Sequence, residues 1–298
     1  SQGRSLPALG SSIDANGTMF TWGGVDLAAY ITAEGGEYRM CWCSMLFDCV
    51  GPEHFRTDAG TFSLVGPAPL YQQRTCVAGQ VCMWGSLAGN FLSDGDVMMV
   101  LDTCGLEFAV PPRWSNPDAY LGLPASQPAT ASGSHFSWGV TEVSTPGGLY
   151  RMCWCANPQP PGMPCNIASD FRTDAGTLHL VGPWPGFQGR TCVAGQPCSF
   201  TTFTGTYLSN GDRIMVLNTC ANHEFLGINA LVPRFGAGGL SQAATDNGAT
   251  FAWETGHGSS STSPGGQYRM CWCASGFDCE LSQHFKADAG DLTVVGPT

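Results

Sequence analysis

The sequence predicts an all-β protein made of tandem, disulfide-stapled β-sandwich domains of the immunoglobulin-like type. Three observations support this class: cysteines that recur 116 residues apart, as at Cys76 and Cys192, short apolar runs, and clusters of Gly, Pro, Asn, Asp and Ser between those runs. A period of this length is too long for a solenoid repeat and fits a small all-β domain. No helical period extends convincingly beyond two turns.

Two sequence blocks carry the repeat. The hexapeptide Tyr-Arg-Met-Cys-Trp-Cys is followed each time by Asp-Ala-Gly and then by Val-Gly-Pro, and it lies at 38–43, 150–155 and 268–273. The block Arg-Thr-Cys-Val-Ala-Gly-Gln occurs twice, at 74–80 and 190–196. We therefore predict three units: unit 1, the C-terminal half of a repeat at 1–67, and two complete β-sandwich repeats, unit 2 at 68–183 and unit 3 at 184–298.

Within a unit, the pattern predicts short strands joined by turns. Residues 38–43 alternate, so their Tyr, Met and Trp side chains share one face of a strand while Arg and the two Cys share the other. Residues 61–65 are the expected hairpin partner, with Asp58-Ala-Gly60 as the turn. The order of a cysteine-bearing early strand, a Trp-containing strand and a Tyr-x-x-Cys strand resembles an immunoglobulin-like sandwich.

Unit 1 lacks both the Arg-Thr-Cys strand and the Asx-Thr-Cys strand of the complete units. A half sandwich exposes a core face and unpaired strand edges, which invite another chain. Three interpretations stay open. The chain is cut from a longer repeat protein, the other strands come from a neighbouring molecule, or residues 1–67 form a self-sufficient module with one free or intermolecular cysteine.

Composition excludes several function classes. The 298 residues carry a net charge of −11, only 12% of them are charged, and Lys and Arg are scattered, so we expect no binding to nucleic acid. An acidic chain has no polybasic means of holding an anionic membrane surface, and no apolar run approaches the roughly 20 residues that span a bilayer. The sequence shows no signal-peptide pattern, so we expect a mature protein or a fragment.

Fifteen cysteines predict disulfides formed in an oxidising, extracellular setting. Metal binding is the alternative, but the spacing to the third cysteine varies and no His recurs in all three units, so we expect no metal and no cofactor. The two cysteines of each Cys-Trp-Cys strand are expected to reach different partners, with a link to the early strands. Sequence leaves the connectivity open among the fifteen predicted disulfide cysteines: Cys41, Cys43, Cys49, Cys76, Cys82, Cys104, Cys153, Cys155, Cys165, Cys192, Cys198, Cys220, Cys271, Cys273 and Cys279.

The remaining polar motifs predict turns and not catalysis. Asp94-Gly-Asp96 and Asn210-Gly-Asp212 lack the other ligands of an EF-hand loop, so Gly-containing turns are favoured over calcium sites. No nucleophile–base–acid set repeats, and only His54 and His284 of the six histidines are equivalent. We therefore predict no catalytic residues and a protein that is not an enzyme.

The tryptophans divide into two groups. Those that recur across the units predict core positions and not a sugar-binding platform, namely Trp22, Trp138 and Trp253 together with the Trp of each Cys-Trp-Cys strand. Three others do not recur and are the predicted interface aromatics: Trp84, Trp114 and Trp184. Asn16 opens the sequon Asn-Gly-Thr and is the predicted N-glycosylation site.

The hexapeptide and the Ala-Gly to Val-Gly-Pro motif resemble the tandem cysteine-rich repeats of very large surface or secreted proteins of unicellular eukaryotes, alveolates among them. The resemblance covers essentially the whole chain and brings no catalytic residues with it. It implies a long extracellular array of β-domains with a structural or adhesive role.

These observations together predict an extracellular structural protein, secreted or at the cell surface, that is the protomer of a fibril or surface coat. Its partners would be copies of itself in a homopolymer, because a head-to-tail contact through an incomplete domain is heterologous and open-ended. The alternative is a carbohydrate-binding or adhesive ectodomain with glycans as partners. Neither function involves nucleic acid or membrane insertion.

Overall fold

A computed structural model gives the fold and describes residues 10–12, 16–22, 30–114, 125–157, 165–220, 231–253 and 260–298. Within these residues the chain forms nineteen β-strands and four 3-10 turns of three or four residues. The all-β class predicted from the sequence is confirmed. In this described part of the chain, no helix has the length and apolarity to cross a membrane.

Unit 1 consists of two separate strand pairs and a terminal strand. Its strands are β1 (Gly10–Ser12), β2 (Phe20–Trp22), β3 (Gly36–Trp42), β4 (Thr57–Leu64) and β5 (Gly66–Pro67). β1 pairs with β2 and β3 pairs with β4, both antiparallel. β5 pairs with a strand of unit 2, so the end of one unit is hydrogen-bonded to the next.

Unit 2 is a β-sandwich. Its strands are β6 (Gln72–Val77), β7 (Val81–Trp84), β8 (Gly89–Asn90), β9 (Val97–Leu101), β10 (Phe136–Glu142), β11 (Gly148–Cys155) and β12 (Thr173–Pro183). The main sheet has the order β9-β11-β12-β6, with β6 parallel to β12 and the other pairs antiparallel. β7 and β10 form the facing two-stranded sheet. Apolar side chains of both sheets, including Trp138 and Met152, form one buried core between them.

Unit 3 repeats this architecture. Its strands are β13 (Arg190–Val193), β14 (Ser199–Phe200), β15 (Gly205–Thr206), β16 (Arg213–Leu217), β17 (Phe251–Ala252), β18 (Gly266–Cys273) and β19 (Ala287–Val295). The main sheet has the order β16-β18-β19-β13, with β13 parallel to β19, and β14 pairs with β17. β15 pairs with the end of β12, which links units 2 and 3.

The main sheet of unit 2 is covered on both faces, and this explains the continuous apolar run of β9. All five residues of β9 are fully buried. Met98 and Val100 face the core between the sheets, whereas Val97, Met99 and Leu101 face a second apolar cluster that contains Cys153 and Phe171. A strand that is buried on both faces reads as an unbroken apolar stretch.

The hairpin of the Cys-Trp-Cys strand differs from the prediction at its turn. Asp58-Ala-Gly60 lies inside β4 and forms a β-bulge there, with Gly60 at a φ of 114°. The connection between β3 and β4 instead runs through the Cys43–Cys49 loop and a 3-10 turn at Pro52–His54. Ala59 is the unpaired residue of the bulge, and the position after it favours Gly because an L side chain rarely adopts this φ.

Fourteen cysteines pair in seven disulfides. Two of these bridges join a Cys-Trp-Cys strand to the segment after an earlier strand, at Cys104–Cys153 and Cys220–Cys271. The other five close short loops: Cys43–Cys49, Cys76–Cys82, Cys155–Cys165, Cys192–Cys198 and Cys273–Cys279. In the Cys-Trp-Cys strands of units 2 and 3, the first and the second cysteine therefore bond to different partners.

The prediction that all fifteen cysteines are bridged is wrong for Cys41, whose thiol is free and exposed. Its equivalents Cys153 and Cys271 reach back 49 and 51 residues to their partners. No cysteine precedes Cys41 in the sequence. Residues 1–40 therefore hold no thiol that could take the place of Cys104 or Cys220.

Candidate functional site

The hairpin of unit 1 has the same backbone geometry as the hairpins of the complete units. β3 and β4 pair with Met40 opposite Gly60 and Cys41 opposite Asp58, and a bulge separates the two pairs. The same register and the same bulge occur at Met152 and Cys153 in unit 2 and at Met270 and Cys271 in unit 3. An Arg–Asp ion pair spans each hairpin, and in unit 1 Arg39 lies 3.1 Å from Asp58.

Exposure separates the hairpin of unit 1 from the other two. Trp42 is 45% exposed, whereas its equivalents Trp154 and Trp272 are 6% and 0% exposed. Cys41 is exposed, whereas Cys153 and Cys271 are fully buried. Residue types that are buried in the cores of units 2 and 3 are thus exposed to solvent on both faces of this hairpin.

Both edges of the unit 1 hairpin are open among the described residues. In unit 2, β9 covers the outer edge of β11 and β6 covers the outer edge of β12. In unit 3, β16 and β13 take the same places. β3 and β4 pair only with each other in the part of unit 1 that the structure describes. Open strand edges carry unpaired N–H and C=O groups that can accept a further strand.

The bulge glycines show where the parallel strand fits. A Cβ atom on Gly176 would overlap the backbone of Gln72 in β6, and one on Gly290 would overlap the backbone of Gln188 just before β13. A Cβ atom on Gly60 would meet only the methyl group of Met40, at 4.0 Å. Gly60 has a positive φ, as the other two glycines do. The space beside Gly60 is therefore open, whereas the backbone of another segment fills the equivalent space in units 2 and 3.

A shallow cleft lies beside the exposed tryptophan. Its volume is about 360 Å³, and it is lined by Trp42, Cys43, Phe47, His54 and neighbouring residues. Phe47, at the tip of the Cys43–Cys49 loop, is exposed on one side of this cleft. Apolar surface therefore extends from the face of the hairpin into the loop that follows it.

The junctions between units are built in the same way twice. Gly66 and Pro67 are buried at the end of unit 1, and a Cβ atom on Gly66 would lie 3.6 Å from the indole of Trp154. Gly182 and Pro183 are buried at the end of unit 2, and a Cβ atom on Gly182 would lie 3.7 Å from the indole of Trp272. The Gly of each Val-Gly-Pro segment thus packs against the Cys-Trp-Cys strand of the following unit.

The third Val-Gly-Pro segment has no such neighbour among the described residues. Gly296 and Pro297 are exposed, and the three atoms nearest to a Cβ atom on Gly296 belong to Ala194 and Gly265. Trp42 and Gly296 are thus exposed, whereas their equivalents at the two internal junctions are buried.

Polar contacts support the junction between units 2 and 3. Arg113 lies 3.4 Å from Asp288 and packs over the ring of Phe187, and Lys286 forms an ion pair with Glu142. Burial lowers the pKa of Arg269, but hydrogen bonds and charges of Asp288 and Asp291 outweigh it and raise that pKa above its ordinary value. The guanidinium of Arg269 thus stays charged and holds two carboxylates near the junction.

The three predicted interface aromatics lie in two kinds of environment. Trp84 and Trp114 were expected at an interface, but both are buried in the core of unit 2, where each packs against Trp138. They do not recur because the equivalent core of unit 3 is filled by Phe200 and Phe235 around Trp253. Trp184 is 59% exposed, at the start of unit 3.

The remaining predicted positions lie in turns. Asn16 is an exposed turn residue, and its glycosylation stays a prediction. Asp96 is buried and accepts hydrogen bonds from the amides of Ser93 and Asn157, at 3.0 Å each. Burial raises the pKa of the Asp96 carboxyl, although these two hydrogen bonds act in the opposite direction. Over the described residues, no group of three or more His, Cys, Asp or Glu side chains is placed to hold a metal ion.

Sequence reasoning missed two kinds of contact that glycines make. The bulge glycine admits the backbone of a parallel strand, and the glycine of Val-Gly-Pro packs against a tryptophan of the next unit. The Asp-Ala-Gly and Val-Gly-Pro motifs recur in all three units, but the sequence indicated only a turn for the first and the end of a unit for the second. The usable signal is that Gly recurs inside segments that otherwise have strand character, which indicates a bulge or a close approach of another backbone.

Paired sheets, seven disulfides and a repeated junction define a tandem, disulfide-stapled β-sandwich protein. No family model matches the chain, and no curated protein matches it. Among solved structures, it is similar to the fibronectin(III)-like modules of CbhA from Clostridium thermocellum, with 10% identity over 78% of this chain and 94% of that chain. The TM-score is 0.18, so this superposition does not establish a shared topology, and the fold rests on the strand pairing described above.

Proposed function

We propose that this chain is an extracellular structural protein and the protomer of a fibril or surface coat, assembled head-to-tail through its tandem β units. The observation that carries this proposal is the repeated junction, in which buried Gly66 and Gly182 each meet the Trp of the next unit. Two different surfaces that complement each other make a heterologous contact, which propagates and does not close.

Several further properties support a structural role. Seven disulfides and a low content of charged residues suit a protein that persists in an oxidising environment outside cells. The resemblance to large cysteine-rich surface repeats leads to the same role. Low surface charge also reduces the repulsion between copies of an acidic chain when they pack closely.

Negative-stain electron microscopy of the unreduced protein tests the proposal. We expect regular filaments whose axial spacing matches the length of one chain. Trp42→Ala should raise the concentration at which filaments form by at least about tenfold, because aromatic anchors dominate interface energetics. Trp184→Ala is the matched control, since Trp184 is also exposed but is not equivalent to the junction tryptophans Trp154 and Trp272. Dispersed particles of about 31 kDa at all concentrations would contradict the proposal.

A carbohydrate-binding or adhesive ectodomain is the second candidate, and exposed aromatic side chains favour it. Trp184, Phe187 and Tyr207 are each more than half exposed in unit 3. Aromatic rings of this kind can stack on sugar rings, with Tyr and Trp also offering a polar atom. Binding of the monomer to a glycan array, lost in Trp184→Ala and kept in Trp42→Ala, would support this candidate over a fibril.

A further inference from the structure

We infer that the disulfide-closed loop between Cys43 and Cys49 inserts its apolar tip into the surface of a lipid bilayer. The apolar tip consists of Met45, Leu46 and Phe47, whose side chains are 93%, 85% and 75% exposed. Monomeric proteins rarely expose contiguous apolar surface of this kind unless it binds something. The partner that the geometry favours is the interface of a bilayer of zwitterionic phospholipids.

The exposure of the apolar tip is a property of the loop and not of the open edges of β3 and β4. Unit 3 has a loop of the same length between Cys273 and Cys279, and there β16 and β13 flank the hairpin. Its tip residues Ser275, Gly276 and Phe277 are nevertheless exposed, although the junction with unit 2 is also complete. Strands paired with both edges of β3 and β4 would therefore leave the apolar tip exposed.

The loops of units 1 and 3 differ in the chemistry of these exposed positions. Unit 3 has Ser and Gly where unit 1 has Met45 and Leu46, and it has Glu280 where unit 1 has Val50, which is 78% exposed. The disulfide, the Phe and the Asp that follows it are the same in both loops. Because the loop forms with polar residues at its tip in unit 3, folding does not account for the apolar residues in unit 1.

The loop holds its tip in a closed turn. The amide of Phe47 donates to the carbonyl oxygen of Ser44 at 3.0 Å, and the Cys43–Cys49 bridge fixes both ends of the loop. Entry into an apolar phase is opposed by unpaired backbone groups and by the ordering of a flexible chain. Both costs are reduced here, because the hydrogen bond pairs one N–H and one C=O and the bridge restricts the free loop.

Exposure on all sides favours a lipid surface over a protein groove. A groove or a strand contacts one side of its ligand, so it would cover only part of three consecutive side chains that are each at least 75% exposed. The boundary between headgroups and acyl chains is fluid and closes around a protruding apolar segment from every side. The bilayer interface is therefore the partner that can bury the whole apolar tip.

Charge favours uncharged lipid. Residues 43–50 contain no Lys or Arg and one carboxylate, that of Asp48, and the whole chain carries a net charge of −11. The sequence predicts no membrane insertion, because it has neither a polybasic patch nor an apolar run that spans a bilayer. A loop at the interface needs neither of these, since burial of its apolar side chains supplies the affinity.

A single loop of this size binds weakly and reversibly, because even one myristoyl chain binds a membrane only marginally. In the fibril or coat that we propose, every chain contributes one apolar tip, so many weak contacts act together. This gain in avidity rests on the proposed function, whereas binding of the single chain does not.

Flotation of the full chain with phosphatidylcholine vesicles tests the inference. We expect half of the protein to float at a lipid concentration on the order of 1 mM. Met45→Ser, Leu46→Ser gives the tip the polar character that it has in unit 3 and should weaken partitioning at least about tenfold. Val140→Ser, Leu149→Ser is the matched control and should bind as the wild type does, because these side chains are 80% and 63% exposed in strands of unit 2.

Two results of the flotation experiment would overturn the inference. One is an equal loss of binding in the two double variants, and the other is a wild type that floats at no lipid concentration. Disulfide mapping and hydrogen exchange in β3 and β4 verify that the tip variant keeps its fold.

Lipid charge and salt give a second measurement. Binding should change less than about twofold between about 0.05 M and about 0.5 M NaCl, and phosphatidylserine should not strengthen it, because residues 43–50 carry no cation. Tighter binding to vesicles that contain phosphatidylserine would reveal an electrostatic contact and would overturn the inference.

Oxidation of Met45 locates the contact without any substitution. Hydrogen peroxide converts exposed methionines to the sulfoxide, and Met83, which is 55% exposed in β7, serves as the internal reference. When half of the chain is bound to vesicles, the oxidation rate of Met45 relative to that of Met83 should fall by about half. An unchanged ratio would show that the apolar tip stays in water.

A contact between copies of the chain is the competing outcome. If the chain associates with itself without lipid and Met45→Ser, Leu46→Ser abolishes this association, the tip binds protein and the inference is wrong. Filaments are scored separately by microscopy without lipid. A failure of vesicle binding therefore leaves the proposed assembly standing, and an absence of filaments leaves the binding of the single chain standing.

Discussion

Cys104 and Cys153 are joined across 49 residues, and this bridge ties the segment after the edge strand β9 to the central strand β11. Cys76 and Cys82, in contrast, close a loop of six residues between β6 and β7. The two bridges belong to the same unit and differ mainly in the length of chain that they enclose.

We expect this difference to appear in stability. In the chain-entropy model, a loop of about 50 residues corresponds to about 4 kcal/mol and a loop of six to about 2 kcal/mol. The pair Cys104→Ala, Cys153→Ala should therefore lose about twice the free energy of unfolding that Cys76→Ala, Cys82→Ala loses. Hydrogen exchange of β11 amides reads out unit 2 alone, and equal losses for the two pairs would contradict this prediction.

The unreduced protein should contain one reactive thiol. Alkylation under native conditions should modify Cys41 and no other cysteine, because the remaining fourteen are bridged. Peptide mass mapping checks the site, and Cys41→Ser should abolish the modification. Labelling of several cysteines without reductant would contradict both the pairing and the oxidising environment.

The bulge glycines offer a matched comparison. Gly176→Ala and Gly60→Ala both place a Cβ atom at a positive φ, and the strain should cost about 1 to 3 kcal/mol in each. Only Gly176→Ala also pushes a methyl group into the backbone of Gln72, so it should lose a further 1 to 3 kcal/mol, roughly the cost of overpacking.

Hydrogen exchange measured separately in β12 and β4 distinguishes the two glycine variants. If the free energy of unfolding measured in β4 falls as much in Gly60→Ala as that in β12 falls in Gly176→Ala, the space over Gly60 is already filled. In that case the open edge described for unit 1 would be wrong.

Tyr150 makes the stability of the folded protein depend on pH above pH 10. Its hydroxyl donates to the carbonyl oxygen of Pro146 at 2.8 Å, and burial together with the Asp102 carboxylate raises the pKa of Tyr150 to about 12, against an opposing effect of Arg113. Because the folded pKa lies above the ordinary value near 10, this stabilisation is complete below pH 10 and is lost as the pH rises toward 12.

The size of this effect follows from the shift. Two pKa units correspond to roughly 2.7 kcal/mol. Between pH 10 and pH 12, the free energy of unfolding of unit 2 should therefore fall by about 2 to 3 kcal/mol more in the wild type than in Tyr150→Phe. This variant keeps the ring and removes the ionising group. Both variants should carry Cys41→Ser, so that no thiol exchanges disulfides at high pH. Parallel pH curves would refute the prediction.

The two environments of the non-repeated tryptophans can also be separated. Trp114→Ala should destabilise unit 2 by about 3 to 5 kcal/mol, because it empties a large site in the core. Trp184→Ala should change the free energy of unfolding by less than about 0.5 kcal/mol, because this side chain is exposed. Denaturant unfolding monitored by hydrogen exchange checks both values, and similar losses would contradict the burial of Trp114.

The all-β class, the repeat and the strand faces were accessible from the sequence. Alternation of side chains is a local property of any strand, so the hexapeptide pattern alone places Tyr150, Met152 and Trp154 on one face and Cys153 and Cys155 on the other. The regular spacing of cysteines, which requires only counting, likewise indicated disulfides.

Other features depended on contacts between residues that are distant in the sequence. The parallel pairing of β6 with β12 and the place of Trp84 and Trp114 in the core arise from such contacts. So does the bulge at Asp-Ala-Gly, whose glycine admits the backbone of a parallel strand in units 2 and 3. A local pattern carries no information on which distant segment fills a given space, because strand propensity reflects the neighbours of a residue as much as its type.

The sequence by itself thus determined that this chain is a tandem β protein with recurrent cysteines, because periodicity and composition are local. Only the tertiary structure decided that Trp42 and Cys41 are exposed while their equivalents are buried, and that Gly66 and Gly182 each meet a tryptophan of the next unit. Burial is set by what lies opposite a residue in space, and three copies of one motif can therefore differ in it.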